Sequence, residues 1–281
     1  MDRLAQLGSD IAKLWGTYSG TYLHGIWMTV WLAVVCTLIG CLIGFLCGIL
    51  QTIPCAKTDN VVKRVLLLLL KALIRIYVEV FRGTPMILQA VFVYYGLPYF
   101  TSNAVRFDSP ILAALTVVSI NTGAYMAETV RGGILSIDQG QTEGAKAIGM
   151  THFQTMVYVI LPQALRNIIP QIGNNLIINL KDTSVMFIIS YAEFFAVHKA
   201  VVGATFMYFP SATIEMAGYL LMTLISSFLL RLWERKLDGA DSFDLATSDT
   251  LAHTSGMIKY PAKKKVSDVG NLNLDKNERG R

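Results

Sequence analysis

The sequence predicts an all-α, polytopic membrane protein with about five membrane-spanning helices. Three observations point that way. Of the 281 residues, 53% are hydrophobic and only 15% charged, where a soluble domain carries about a quarter charged residues. Several apolar runs reach the length needed to cross a hydrocarbon core. The charged residues gather in loops and in the last quarter of the chain rather than spreading through it.

The first span is expected at residues 26–50, after an external segment at 1–19. That segment, with mixed charge and no apolar core before a small-residue site, does not read as a cleaved signal peptide. Cys36, Gly40, Gly44 and Gly48 recur every four residues in the first span. Such a ridge lets helix backbones approach closely in lipid, either within the bundle or at a subunit seam. The four cysteines at 36, 41, 47 and 55 match no zinc spacing. They read as small packing residues.

Residues 55–85 are apolar but interrupted by Lys63, Arg64, Lys71, Arg75, Glu79 and Arg82. Arg64, Lys71, Arg75 and Arg82 share one helical face, the pattern of a helix lying in the cytoplasmic interface. Thr84 followed by Pro85 predicts a capped helix start. A short span follows at 85–99 and an external loop at 100–110. The third span is expected at 111–130, with Asn121, Tyr125 and Glu128 on one face.

Beyond it, Thr142 can cap a short helix ended by Gly149, a natural left-handed stop. Thr151 opens a second helix as a capping box with Gln154, and Pro162 restarts the chain as a further helix. The fourth span, 163–180, is unusually polar. Asn167, Gln171, Asn174 and Lys181 form one stripe, with Asn175 and Asp182 beside it. The fifth span, 214–232, ends in Arg231, Arg235 and Lys236. The basic loops put the N-terminus outside and the C-terminus inside. They also account for the net charge of +5 without nucleic acid. Residues 237–281 read as a polar, disordered cytoplasmic tail, its Lys263–Lys265 run being solvated or touching lipid.

Five stretches in this order resemble the permease subunits of ATP-binding-cassette importers for polar amino acids. They are YVEVFRGTPMILQ at 77–89, NTGAYMAETVRGGI at 121–134, GQTEGAKAIG at 140–149, LPQALRNIIPQIGNN at 161–175 and LKDTSV at 180–185. The resemblance covers roughly residues 20–236 and implies the MetI-like permease fold in a bacterial cytoplasmic membrane. It also implies that residues 136–162 form the EAA loop, a coupling helix seated on a separate ATPase. Glu143, Gly144, Ala145, Gly149, Leu161 and Pro162 match that motif. Gly144 departs from the usual alanine, at a helix-propensity cost of about 1 kcal/mol.

The implied partners are a pair of ATPase subunits, a second permease copy or a paralogue, an external binding protein and an amino-acid substrate. No cofactor is expected on this chain. It lacks the GxxxxGK[ST] loop that cradles phosphate, so ATP and magnesium belong to the partner. Asn121, Tyr125, Glu128, Asn174, Asn175, Lys181 and Asp182 are candidates for the substrate path, because intramembrane polar groups face partners or cavities. A structural Lys181–Asp182 contact, with local unwinding at the end of the span, is the alternative. A stand-alone ion-coupled transporter or channel would require internal repeats, and none is evident. A membrane enzyme would require clustered catalytic groups, whereas His24, His152, His198 and His253 are scattered.

Overall fold

The computed structural model describes residues 2–55 and 60–238. The tail assigned above to 237–281 lies almost wholly outside the described residues. All regular structure among them is helical: α1 (Asp2–Thr52), α2 (Val61–Gly83), α3 (Met86–Phe100), α4 (Pro110–Leu135), α5 (Gln139–Ala147), α6 (His152–Ile189), α7 (Phe194–Thr205) and α8 (Tyr208–Asp238).

Among the described residues three helices are long and apolar enough to cross a membrane: Arg3–Thr52, Pro110–Leu135 and Tyr208–Trp233. A fourth crossing arises if α6 and α7, bent by 51° at their junction, count as one broken span. α3 is apolar but shorter, and α2 carries too many charges for that class. The first helix starts at Asp2 and runs unbroken through residues 20–26, well before the expected start of the span. No proline interrupts it, and Leu14 and Tyr22 are buried against α7 and α8, so tertiary contacts hold its first turns.

The glycine ridge is an intramolecular seam. α1 and α4 run side by side, and a Cβ on Gly40 would lie 2.6 Å from Thr122 Cβ, one on Gly48 2.7 Å from Val130 Cβ. At Gly44 the added carbon would overlap Met126 Cβ. Cys36 and Cys41 are buried in the same helix. The buried Asn179 amide donates to Thr37 Oγ1 (2.8 Å) and Thr122 Oγ1 (3.0 Å), pinning α6 to this pair.

Three expected helix starts are corrected. Asp138, not Thr142, caps α5, its carboxylate accepting the Gly140 N–H at 2.6 Å. Thr142 lies inside the helix, where a charged cap one turn earlier outcompetes it. Thr84 does not cap α3 either. Its hydroxyl donates back to Val80 O and accepts from Gln89 Nε2, closing the end of α2. Pro162 likewise does not restart the chain. The turn before it, Met156–Ile160, widens to i→i+5 bonding, with Leu161 N–H donating to Met156 O. A proline ring clashes with the carbonyl four residues back, and a π-helical turn relieves that clash without breaking the rod. Leu97-Pro98 in α3 follows the same kind of turn, Phe92–Gly96.

Candidate functional site: a bent helical pair and a charged cleft

The bend between α5 and α6 is closed by two backbone bonds. Gly149 N–H donates to Lys146 O (3.0 Å) and Met150 N–H to Ala145 O (3.1 Å), the bonding of a Schellman stop. Gly149 sits at φ +84°, where an L-residue is strained. Thr151 then starts α6 as expected: its hydroxyl accepts from Gln154 N–H at 3.3 Å, and its own N–H donates to Gln154 Oε1 at 2.9 Å. Ala145 turns inward while Glu143, Gly144 and Gly149 stay exposed; Leu161 is half-buried and Pro162 exposed. On either side of the bend Ile148 and Phe153 are 79% and 75% exposed, an apolar pair on an otherwise polar loop.

The second feature is a cleft of about 440 Å³ lined by Lys181, Ser184, Phe195, Glu215, Met216 and Tyr219. Glu215 is buried, and its Oε1 has no hydrogen-bond partner among the described residues. Its Oε2 lies 3.5 Å from His198 Nδ1. That nitrogen also meets Ser211 Oγ at 2.9 Å, and Ser211 Oγ meets Tyr22 Oη at 2.8 Å. Behind the cleft the fully buried Glu193 caps α7, accepting from Phe195 N–H (2.7 Å) and Ala196 N–H (2.6 Å). Tyr219 donates to the same carboxylate at 2.9 Å. These bonds fix the wall that carries Glu215 and Tyr219.

The expected path residues divide into separate groups. Lys181 opens onto the cleft, and Asp182 ends the regular part of α6, which tightens into a 3₁₀ segment at Thr183–Ile189 rather than unwinding. Asn174 and Asn175 are half-buried; Asn175 donates to Gln171 O at 2.9 Å and contacts Met126 Sδ at 3.3 Å. Asn121 points elsewhere, its amide donating to Phe81 O and Gln89 Oε1, both at 3.0 Å. Tyr125 lies under the Arg82 guanidinium, 5.4 Å from its ring centre. Glu128 pairs with Arg131.

The sequence reading missed Glu215, Glu193 and all of α7. Glu215 did carry a signal, a single carboxylate inside an apolar span. α7 carried none, because Ser190 at φ +63° makes the turn without glycine or proline.

The helices of membrane-crossing length define a multi-pass membrane protein. The sequence profile of the binding-protein-dependent transport system inner membrane components matches residues 62–239, and the chain belongs to that family. It is thus an inner-membrane transport subunit without its own catalytic function. Among relatives, the glutamine transport system permease protein GlnP of Escherichia coli K12 is 40% identical over 162 residues, 58% of this chain and 73% of that protein. The arginine transport system permease protein ArtQ of Bacillus subtilis is 36% identical over 165 residues, 59% of this chain and 74% of that one. A crystal structure of an amino acid ABC transporter with histidines superposes with a TM-score of 0.68 at 33% identity, covering 78% of this chain and 95% of that chain. The inward-facing MetNI methionine ABC transporter has the same fold, with a TM-score of 0.63 at 18% identity, covering 78% and 97%.

Proposed function

We propose that this chain carries a polar amino acid across the cytoplasmic membrane by alternating access, driven by a separate ATPase that grips the α5–α6 bend. The names of the relatives support an amino-acid cargo. Residues 20–236 form the transmembrane domain in this reading, with 1–19 outside, 237–281 inside and about five crossings. α3, apolar but short, supplies the extra crossing in this reading. The assembly is a pair of ATPase subunits holding ATP and magnesium, a second permease copy or paralogue and an external binding protein.

Glu143, Gly144, Ala145, Gly149, Leu161 and Pro162 make the coupling surface. Ile148 and Phe153 supply the apolar area that a docking groove would cover. The substrate reading rests on one observation, the buried Glu215 oxygen without a partner in the cleft that also holds Lys181. A zwitterion offers an ammonium to the carboxylate and a carboxylate to the lysine. Asp182, Asn174 and Asn175 continue this wall along α6, while Asn121, Tyr125 and Glu128 would serve a separate stretch of the path on α4, against Phe81, Arg82 and Arg131.

The test is uptake of radiolabelled glutamine, arginine and histidine by the assembled complex in proteoliposomes. Glu215→Gln and Lys181→Met each remove one charged contact, so uptake is expected to fall about 10- to 100-fold while ATP hydrolysis by the complex persists. Asn174→Leu and Asp182→Asn probe the adjoining wall. Wild-type uptake by both cleft variants rules out this cleft as the path.

A further inference from the structure

α2 carries a row of charge that neither the bend nor the cleft uses. Lys71, Arg75 and Arg82 line a pocket of about 270 Å³ between α2 and α4, together with Glu79, Glu128 and Arg131. Two of these charges cancel, because Arg131 pairs with Glu128. Lys71 gives a hydrogen bond to Ile53 O at 2.5 Å, and Arg82 stacks on Tyr125. Neither contact neutralises a charge. Arg82 also lies within the field of Glu128, so across the pocket four cations share two carboxylates, a surplus of two positive charges. Uncompensated charge next to an apolar phase is costly and calls for a counter-ion.

The surroundings specify what kind. Guanidinium groups offer forked donors matched to phosphate oxygens. Immediately beside the basic row, Leu68, Ala72 and Ile76 recur every four residues as an exposed apolar flank, and the surface stays apolar further round at Leu69, Leu73 and Val80. A free anion would use the row and leave the flank bare. A ligand with a phosphate at one end and hydrocarbon at the other would use both.

The geometry points to a lipid site: Lys71, Arg75 and Arg82 hold the phosphate of an anionic phospholipid headgroup, and its chains lie along the Leu68–Ile76 flank. Basic pockets between membrane helices suit such headgroups. Glu79 opposes binding and tunes its strength.

The test uses the detergent-purified complex with its ATPase, titrated calorimetrically with dioctanoyl phosphatidylglycerol, dioctanoyl phosphatidylcholine and inorganic phosphate. The anionic lipid is expected to bind saturably, and the zwitterionic lipid at least about fivefold more weakly, by the loss of one net charge. Arg75→Gln with Arg82→Gln should weaken the anionic lipid about thirtyfold, and Glu79→Gln should tighten it about fivefold. Equal affinity of wild type and the double variant overturns the site. Inorganic phosphate binding as well as phosphatidylglycerol overturns the lipid assignment. If the double variant fails to assemble, Glu79→Gln decides alone, and unchanged affinity there counts against the proposal. Amino-acid uptake is not the readout, so the outcome is separate from that of the cleft experiment.

Discussion

Gly144 and Gly149 lie five residues apart in the bend, and replacing each with alanine should have opposite effects. At both positions an added Cβ meets nothing within 4 Å, so packing is not in play and only the backbone responds. Gly144 is inside α5, where alanine improves helix propensity by about 1 kcal/mol. Gly149 sits at φ +84°, where a Cβ costs about 1–2 kcal/mol. Gly149→Ala should therefore shift the bent form against an unbent one by about 5- to 30-fold. In the proposed coupling, binding-protein-stimulated ATPase activity and uptake in proteoliposomes fall by up to that factor. The melting temperature of the permease hardly moves, because the bend is peripheral. Gly144→Ala should keep wild-type uptake. Full uptake with Gly149→Ala, or equal losses in both variants, would refute the idea that the left-handed turn sets the angle of a lever.

Two stability predictions follow from the α1–α4 seam. Gly44→Leu drives a side chain into Met126 and should cost about 1–3 kcal/mol or more, read as a lower melting temperature or lost folded yield in detergent. Gly20→Leu on the same helix, with nothing within 4 Å, is the control and should be nearly neutral. Asn179→Leu removes the buried hydrogen bonds to Thr37 and Thr122, and should cost about 1–2 kcal/mol by the membrane scale. An unchanged melt would mean that the triad adds nothing to the packing.

What could be read from the sequence was local. The small-residue ridge from Cys36 to Gly48, the Thr151–Gln154 capping box and the left-handed Gly149 each depend on a few neighbouring residues, and each is present. The sequence reading favours Thr142 as the cap and misses Asp138, one turn earlier, whose carboxylate accepts the Gly140 N–H and starts α5. Pro162 misled because the rule that proline breaks a helix assumes four-residue bonding, and the preceding turn takes five. The cleft was only half legible. Lys181 and Glu215 are distant in sequence and line one cleft across the 51° bend between α6 and α7, where Ser190 is left-handed and no glycine or proline announces the change of direction.

The proline correction bears on how motion could travel. Had the chain restarted at Pro162, the bend and the cleft would sit on different rods joined by a hinge. Instead α6 continues from His152 to Ile189 as one helix, through a π turn and with Pro170 inside it, so Thr151 and Gln154 anchor one end while Lys181 opens onto the cleft near the other. At about 1.5 Å per residue the two ends are separated by roughly 40 Å. A helix of that length displaced at its base moves its far end as a unit, the rigid-body mode available to a packed bundle. Its contacts also restrict the direction of travel: Asn179 is bonded to α1 and α4, close to the cleft and far from the bend. A force applied at Gly149 would therefore pivot α6 about that buried triad. In the proposed transport cycle, Lys181 then shifts relative to Glu215, which is held on the other wall by His198 and the Tyr219–Glu193 bond.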